Sequence, residues 1–255
     1  MNKTRRLLNG LIACGVALGM VSALVAQPAD QAGAKVVRLK GGARYKIGSG
    51  DWQPLKLGDV VHSGTVIQTA AKSRVDLVLG DASAPVARAV PSDVISYQPT
   101  AEQNIVRLWE NTLLGVDKMT ETHTGADVVT ETQLDLKAGH ITGSVKKMSA
   151  ASKYEVKIPN GVAGIRGTVY DISAEGVIKV LSGSVVLAYV GPSGSVVTQV
   201  IMGLQMFDAR TGVLSPLPNT DKTGMSNLVK QMTTGFIVAP TPVSANSSLQ
   251  YISPH

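Results

Sequence analysis

The sequence predicts an all-β protein: a twisted antiparallel β domain, partly solenoid-like or sandwich-like, with a short C-terminal helix. Three observations predict it. The composition is rich in glycine (26 residues) and poor in charge (16%) and aromatics (4%), with a steady supply of Val and Thr, which suits strands better than helices. From Lys35 onward, apolar and polar residues alternate in short runs, the period of a half-buried strand. Those runs end at glycines, the residues that tolerate the positive φ of a tight corner or bulge. With 255 residues and 44% hydrophobic content, the chain is long enough to bury a sizeable core.

The first 26 residues read as a secretory signal peptide. A basic stretch, Met1 to Arg6, precedes the uncharged run Leu7 to Ala26, which ends in small residues. Cleavage fits after Ala23 or Ala26. The run is also long enough to span a bilayer, so an uncleaved anchor is the alternative. The sole cysteine, Cys14, lies in "LIAC", the local form of a lipoprotein cleavage box, although the apolar run continues past it. After processing, no thiol or disulfide chemistry is expected. Removing Lys3, Arg5 and Arg6 from the 24 basic residues leaves 21 against 18 acidic ones, a net of +3. With no basic cluster beyond Lys146 and Lys147, nucleic acid is excluded as a partner.

The mature chain divides into a β domain at 35–210 and an extension at 211–255. "AKVVRLKGGARYKIG" reads as two strands about Gly41 and Gly42, and "WQPLKLGDVVHSGTVIQTA" turns at Gly58 and Gly64. In "SRVDLVLGD", Val75, Leu77 and Leu79 alternate with Arg74, Asp76 and Val78, so Asp76 is expected on a solvated face. Residues 82–103 hold three prolines and suit an irregular loop with at most one strand near 94–97. "NIVRLWENTLLGVDKMTE" reads as two strands about a turn at Glu110 and Asn111. "KYEVKIP" alternates cleanly, with Tyr154, Val156 and Ile158 on one face. The corners Leu55 to Gly58, Leu136 to Gly139, Val180 to Gly183 and Val200 to Gly203 share a loose form that suggests stacked turns. Met225, Leu228, Val229 and Met232 follow helical spacing and predict one amphipathic helix over 223–233, before a flexible Pro/Ser/Thr-rich tail.

Catalytic patterns are missing. His62, His123, His140 and His255 lack partners at metal-ligand spacing, and Asp117, Glu121, Asp127, Glu131 and Asp135 lack calcium-loop order and read as solvated strand faces. No Gly-x-Ser-x-Gly is present. No enzyme, cofactor or metal is expected; an active site assembled only on folding is a distant third reading.

One stretch stands apart: "IPNGVAGIRGTVYDIS", residues 158–173. Gly161, Gly164 and Gly167 are three apart around Ile165, Arg166 and Thr168. A nucleotide-backbone clamp would sit between helices and a phosphate loop would lead into one, but the flanks here are strands. The run is expected to be a glycine-permitted corner after Pro159, with Arg166 buried and using its five donors on corner carbonyls. A direct ligand contact by Arg166 is the other reading.

"VAGIRGTVYDIS", followed by "VIKVLSGSVVLAY" and "VIMGLQM", resembles the signature of the FecR domain. The upstream "WQPLKLGDVVHSGTVIQTAAKSRVDLVLGD" resembles that family's opening, so the resemblance runs from about Lys35 to Asp208. It implies a mainly-β, twisted, partly solenoid-like domain in the periplasm. The family's founding members relay iron-siderophore signals, contacting an outer-membrane receptor outside and a sigma factor inside. Only six residues precede the apolar run here, so no sigma-factor contact is expected. The expectation is therefore an exported, periplasmic or cell-surface, non-enzymatic module for envelope sensing, signalling or scaffolding, contacting an envelope protein or a glycan; the alternative is a structural or adhesive surface protein.

Overall fold

In the computed structural model, residues 30–80, 104–124, 127–191 and 193–233 are described. The run over which a signal peptide is expected, the whole proline-rich stretch at 82–103 with the strand expected near 94–97, and the tail beyond residue 233 lie outside them. The strands are β1 (Asp30–Gln31), β2 (Ala34–Lys40), β3 (Ala43–Ile47), β4 (Gln53–Pro54), β5 (Val60–Val61), β6 (Thr65–Thr69), β7 (Arg74–Leu79), β8 (Asn104–Leu108) and β9 (Leu113–Thr124). They continue with β10 (Asp127–Ala138), β11 (His140–Ser144), β12 (Lys153–Ile158), β13 (Gly161–Ser173), β14 (Val177–Val190), β15 (Val196–Met202), β16 (Gln205–Asp208) and β17 (Val213–Pro216), followed by one helix, α1 (Asn219–Thr233). The fold is all-β with a short C-terminal helix.

Strand pairing forms a curled sheet folded into two layers. One layer runs β5, β2, β7, β8, β11, the distal half of β13, the first half of β14, β16 and β17. The other runs β4, β3, β6, β9, β10, β12, the proximal half of β13, the second half of β14, and β15. All ladders are antiparallel except β10 with β12. The hairpin of β13 and β14 belongs to both layers, and its ladder shifts register between Arg166 and Val169, a bulge that bends the pair from one layer into the other.

The chain changes layer at corners such as those between β2 and β3, β6 and β7, and β8 and β9, and these corners stack. Gly42 O accepts from Ala70 N–H at 2.9 Å, Thr112 O accepts from Thr69 N–H at 3.0 Å, and His140 O accepts from Trp109 N–H at 3.2 Å. Gly139, at φ 77°, sits where a Cβ would lie 2.4 Å from Thr112 Oγ1. The turn expected at Glu110 and Asn111 is one of these corners. Between the layers, Ile67, Leu114, Leu134, Val156 and Leu187 face Val36, Leu77, Val106, Ile172 and Val180 in one apolar core. Burial of such side chains is the main stabilising term. Tyr154 and Tyr170 meet across it, hydroxyl to hydroxyl at 2.9 Å, and Tyr189 and Phe207 pack edge to face at 5.3 Å.

Helix α1 begins four residues before the predicted start. Pro218 precedes it and its carbonyl accepts from Lys222 N–H at 3.0 Å; Asp221 in the first turn and Lys230 in the last suit the helix dipole. Met232, with Leu228 beside it, packs on Val37, Val78 and Ile105 of the first layer's outer face. That cover explains why β7 and β8 are buried on both faces. It also corrects the expectation for Asp76, which is fully buried rather than solvated.

Candidate interaction site

The six motif residues all lie on β13, within an uninterrupted strand. Gly161 pairs with Tyr189, and a Cβ there would stand 2.5 Å from Ala188 O; Gly164 has open space, its nearest neighbour Val186 O being 3.7 Å away. Ile165 points into the core. Gly167 has φ 60° and faces Gly183, φ 81°, whose Cβ would fall 2.3 Å from Gly167 O. The corner is therefore real but lies at Gly167, inside one strand, rather than between two strands beginning at Pro159.

Arg166 is not the buried hub the sequence suggested. Its side chain is exposed, and Nη2 donates to Met148 O at 3.4 Å. Alternation puts it outward, as Ile165 on the preceding position is turned inward. The hub is its neighbour Thr168, 1% exposed. Its Oγ1 lies 2.8 Å from Ser184 O and 3.0 Å from Arg166 O, and accepts from Ser184 N–H at 3.2 Å. The hydroxyl thus satisfies backbone groups that the double bulge withdraws from the ladder.

A buried arginine does exist, on β8. Arg107 Nε and Nη2 bind Asp76 Oδ1 and Oδ2 at 2.6 and 2.7 Å, and Arg38 Nη1 reaches Asp76 Oδ2 at 3.3 Å. Burial draws the Arg38 guanidinium below its ordinary value, with Asp76 opposing. The register continues this polar row across the first layer: Arg38, Asp76, Arg107, Thr142, Asp171 and Lys179 are successive cross-strand partners. Thr142 Oγ1 donates to Asp171 Oδ2 at 2.5 Å. Helix α1 closes over the row, held at one end by Lys179 with Asp221 at 3.1 Å and at the other by Arg38 donating to Met232 O at 3.0 Å.

The second layer's outer face is divided. Its β9, β10 and β12 half is charged: Lys118 pairs with Glu131, Lys137 with Asp135, and Lys157 with Asp117 at 2.8 Å, which pushes the Lys157 ammonium up. Asp117, Glu131 and Asp135 thus occupy solvated strand faces as expected. The β13 to β15 half is mostly apolar, with Arg166 at one end in the row of Ser184 and Met202. Val186, Val190, Val196, Val200 and Met202 are exposed there, Val196 to 75%, and the register sets Val186 beside Val200 and Val190 beside Val196. Val162 and Ala188 extend the patch over a depression of about 600 Å³ whose rim includes Lys157 and Asp135. Contiguous exposed apolar surface of this kind marks an interaction site. Sequence reasoning missed it, although a signal existed: from Val180 to Phe207 no residue is charged.

Among the described residues, no three His, Cys, Asp or Glu side chains gather as a metal-binding group, and no helix is long and apolar enough to cross a membrane. Each tryptophan is already stacked, Trp109 on His140 at 5.3 Å and Trp52 under Arg44 at 4.5 Å.

No curated protein matches the chain. Two solved structures of a protein described as an anti-sigma factor, from Parabacteroides distasonis, are similar in part. One has 12% identity and a TM-score of 0.35, over 53% of this chain and 59% of that one; the other has 11% and 0.31, over 48% and 53%. This chain therefore spans less than two thirds of either. Residues 96–186 match the FecR protein family, a stretch that holds β8 to β13, the Gly167 bulge and most of β14. The chain thus carries a FecR-family domain at 96–186.

Proposed function

We propose that this chain is an exported, non-enzymatic interaction module of the cell envelope that takes a protein partner on the valine face of β13 to β15 and serves signalling or scaffolding. The observation that carries the reading is that face: exposed valines on adjacent strands, with Arg166 at one end and a charged half beside them that offer specificity at the rim. Its chemistry favours an apolar protein surface over a glycan, which calls for polar side chains converging around an available aromatic ring. The FecR match supports a signalling role, and the basic and apolar run at 1–26 supports export.

In-cell photocrosslinking tests it, with the reactive residue placed at Val186 or Val200. One defined envelope protein should be captured, and Val186→Lys with Val200→Lys should abolish capture without lowering the melting temperature. Capture that survives those substitutions, or absence of any protein adduct, rules the face out. Recovery of the full-length chain in the cytosolic fraction rules out export.

A further inference from the structure

The edge of the valine face has a property that the face alone does not explain. Among the described residues β15 pairs only with β14, which leaves its far side an open edge there. Among the described residues, the other strands with one partner are blunted in the usual ways: β1, β4 and β5 are two residues long, and β17 ends at Pro216. β15 has seven residues, Val196-Val-Thr-Gln-Val-Ile-Met202, with neither charge nor proline.

Its backbone polarity is fixed by two bonds. Gly203 N–H donates to Gly183 O and Gly191 N–H donates to Ser195 O, both at 2.9 Å. Odd-numbered residues of β15 therefore face β14, while Val196, Thr198, Val200 and Met202 turn their N–H and C=O groups to the open side. Two of those groups are already engaged by the chain's own amides. Met202 N–H donates to Gln205 Oε1 at 2.8 Å, and Gln199 Nε2 donates to Val200 O at 2.7 Å.

We propose that β15 pairs antiparallel with β15 of a second copy about a two-fold axis at Gln199, joining the two valine faces into one platform. This deepens the interaction reading above and rests on it. The sequence of β15 is close to self-complementary in that register. Val196 meets Met202 of the copy, Val197 meets Ile201, Thr198 meets Val200, and Gln199 meets itself. Val196 then lies beside Met202 and Val200 beside the methyl-bearing Thr198, and the open backbone groups fall into hydrogen-bonded pairs at 196 with 202 and at 198 with 200. The lack of charge removes the like-charge repulsion that normally keeps an edge from its own copy, and the symmetric contact closes on itself as a two-fold interface requires. Gln199 and Gln205 hold the edge until the copy replaces their side-chain bonds.

The register makes a specific demand. Gln199 would face Gln199 of the copy as a non-hydrogen-bonded pair, with Cα atoms about 4.5 Å apart, inside the roughly 4.4–6.8 Å that a disulfide spans. In the full chain with Cys14→Ser, Gln199→Cys should form a disulfide-linked dimer on mild oxidation, while Val213→Cys on β17 should not. Sedimentation of the wild-type chain should give twice the monomer mass. Thr198→Pro, which removes an N–H from the open side and none from the β14 ladder, should return the monomer. If that variant does not fold, Thr198→Lys with Val200→Lys places like charges opposite each other across the pair and should give the same loss. A wild-type monomer, or a dimer that survives these changes with no disulfide at position 199, overturns the proposal. A monomer that still captures an envelope protein through Val186 leaves the interaction reading standing and assigns the edge to that partner.

Discussion

Arg107 and Asp76 face each other on adjacent strands as a bidentate pair, 2.6 and 2.7 Å long, both nearly sealed from solvent. Removing Arg107 takes two short charge-assisted bonds from the buried Asp76 carboxylate and leaves it only the Arg38 contact at 3.3 Å. Arg107→Ala should therefore destabilise the fold by about 3 kcal/mol, the low end for breaking a buried pair, in urea denaturation, well above the effect of removing a surface arginine. A loss below about 1 kcal/mol would show that water already reaches the pair.

Thr168, not Arg166, should carry the energetic weight of the motif. Thr168→Val leaves Ser184 N–H and two carbonyls at the bulge without their shared partner, a loss of about 1–3 kcal/mol. Arg166→Ala should stay within about 0.5 kcal/mol. Equal melting temperatures for the two variants would contradict the assignment.

The glycines should separate in the same way. Gly183→Ala forces a Cβ against Gly167 O at a φ of 81°, which costs more than about 1 kcal/mol. Gly164→Ala meets nothing closer than 3.7 Å and should fold as the wild type does. Thermal denaturation of the two purified variants distinguishes them.

The carboxyl of Asp171 is pushed up from its ordinary value, chiefly by burial, with the Thr142 hydrogen bond, His140 and Lys179 opposing. The folded chain thus holds this proton more tightly than the unfolded chain does. The stabilisation is complete below the unfolded value of about 3.9 and is lost as pH rises through the raised folded value. Asp171→Asn should abolish that loss, so its stability relative to wild type should improve as pH rises from acid toward neutrality. Denaturant midpoints across the range check it; parallel curves would refute it.

Much of this was legible in the chain. Alternation located β7 and β12 because one or both of their faces must be apolar, the turn at Glu110 and Asn111 separated β8 from β9, and the glycines at 41, 58, 64, 139 and 183 do adopt positive φ. Period two says which residues share a face, however, not what covers that face. Asp76 therefore read as solvated, because the helix that buries it follows 140 residues later and its docking is a tertiary fact. Arg166 read as buried because glycine neighbours suggest close packing, yet the close approach is made by Gly161 and Gly183 toward backbone, and the outward parity of position 166 depends on the bulge at 167. The valine face escaped notice because strands rich in Val are ordinarily assigned to a core; only the sheet order shows that nothing among the described residues lies over it.

The hairpin of β13 and β14 passes unbroken from one layer into the other. The two halves of this sandwich are consequently not separable pieces: prising them apart would mean tearing a covalent backbone rather than parting an apolar seam. A load applied at the Gly161 and Tyr189 end is delivered along the chain itself to the turn at Ala174 to Gly176, beneath which β16 pairs with β14 and near which Lys179 holds the start of α1. The valine surface and the helix stand on opposite sides of the molecule, yet one continuous pair of strands serves as the beam between them.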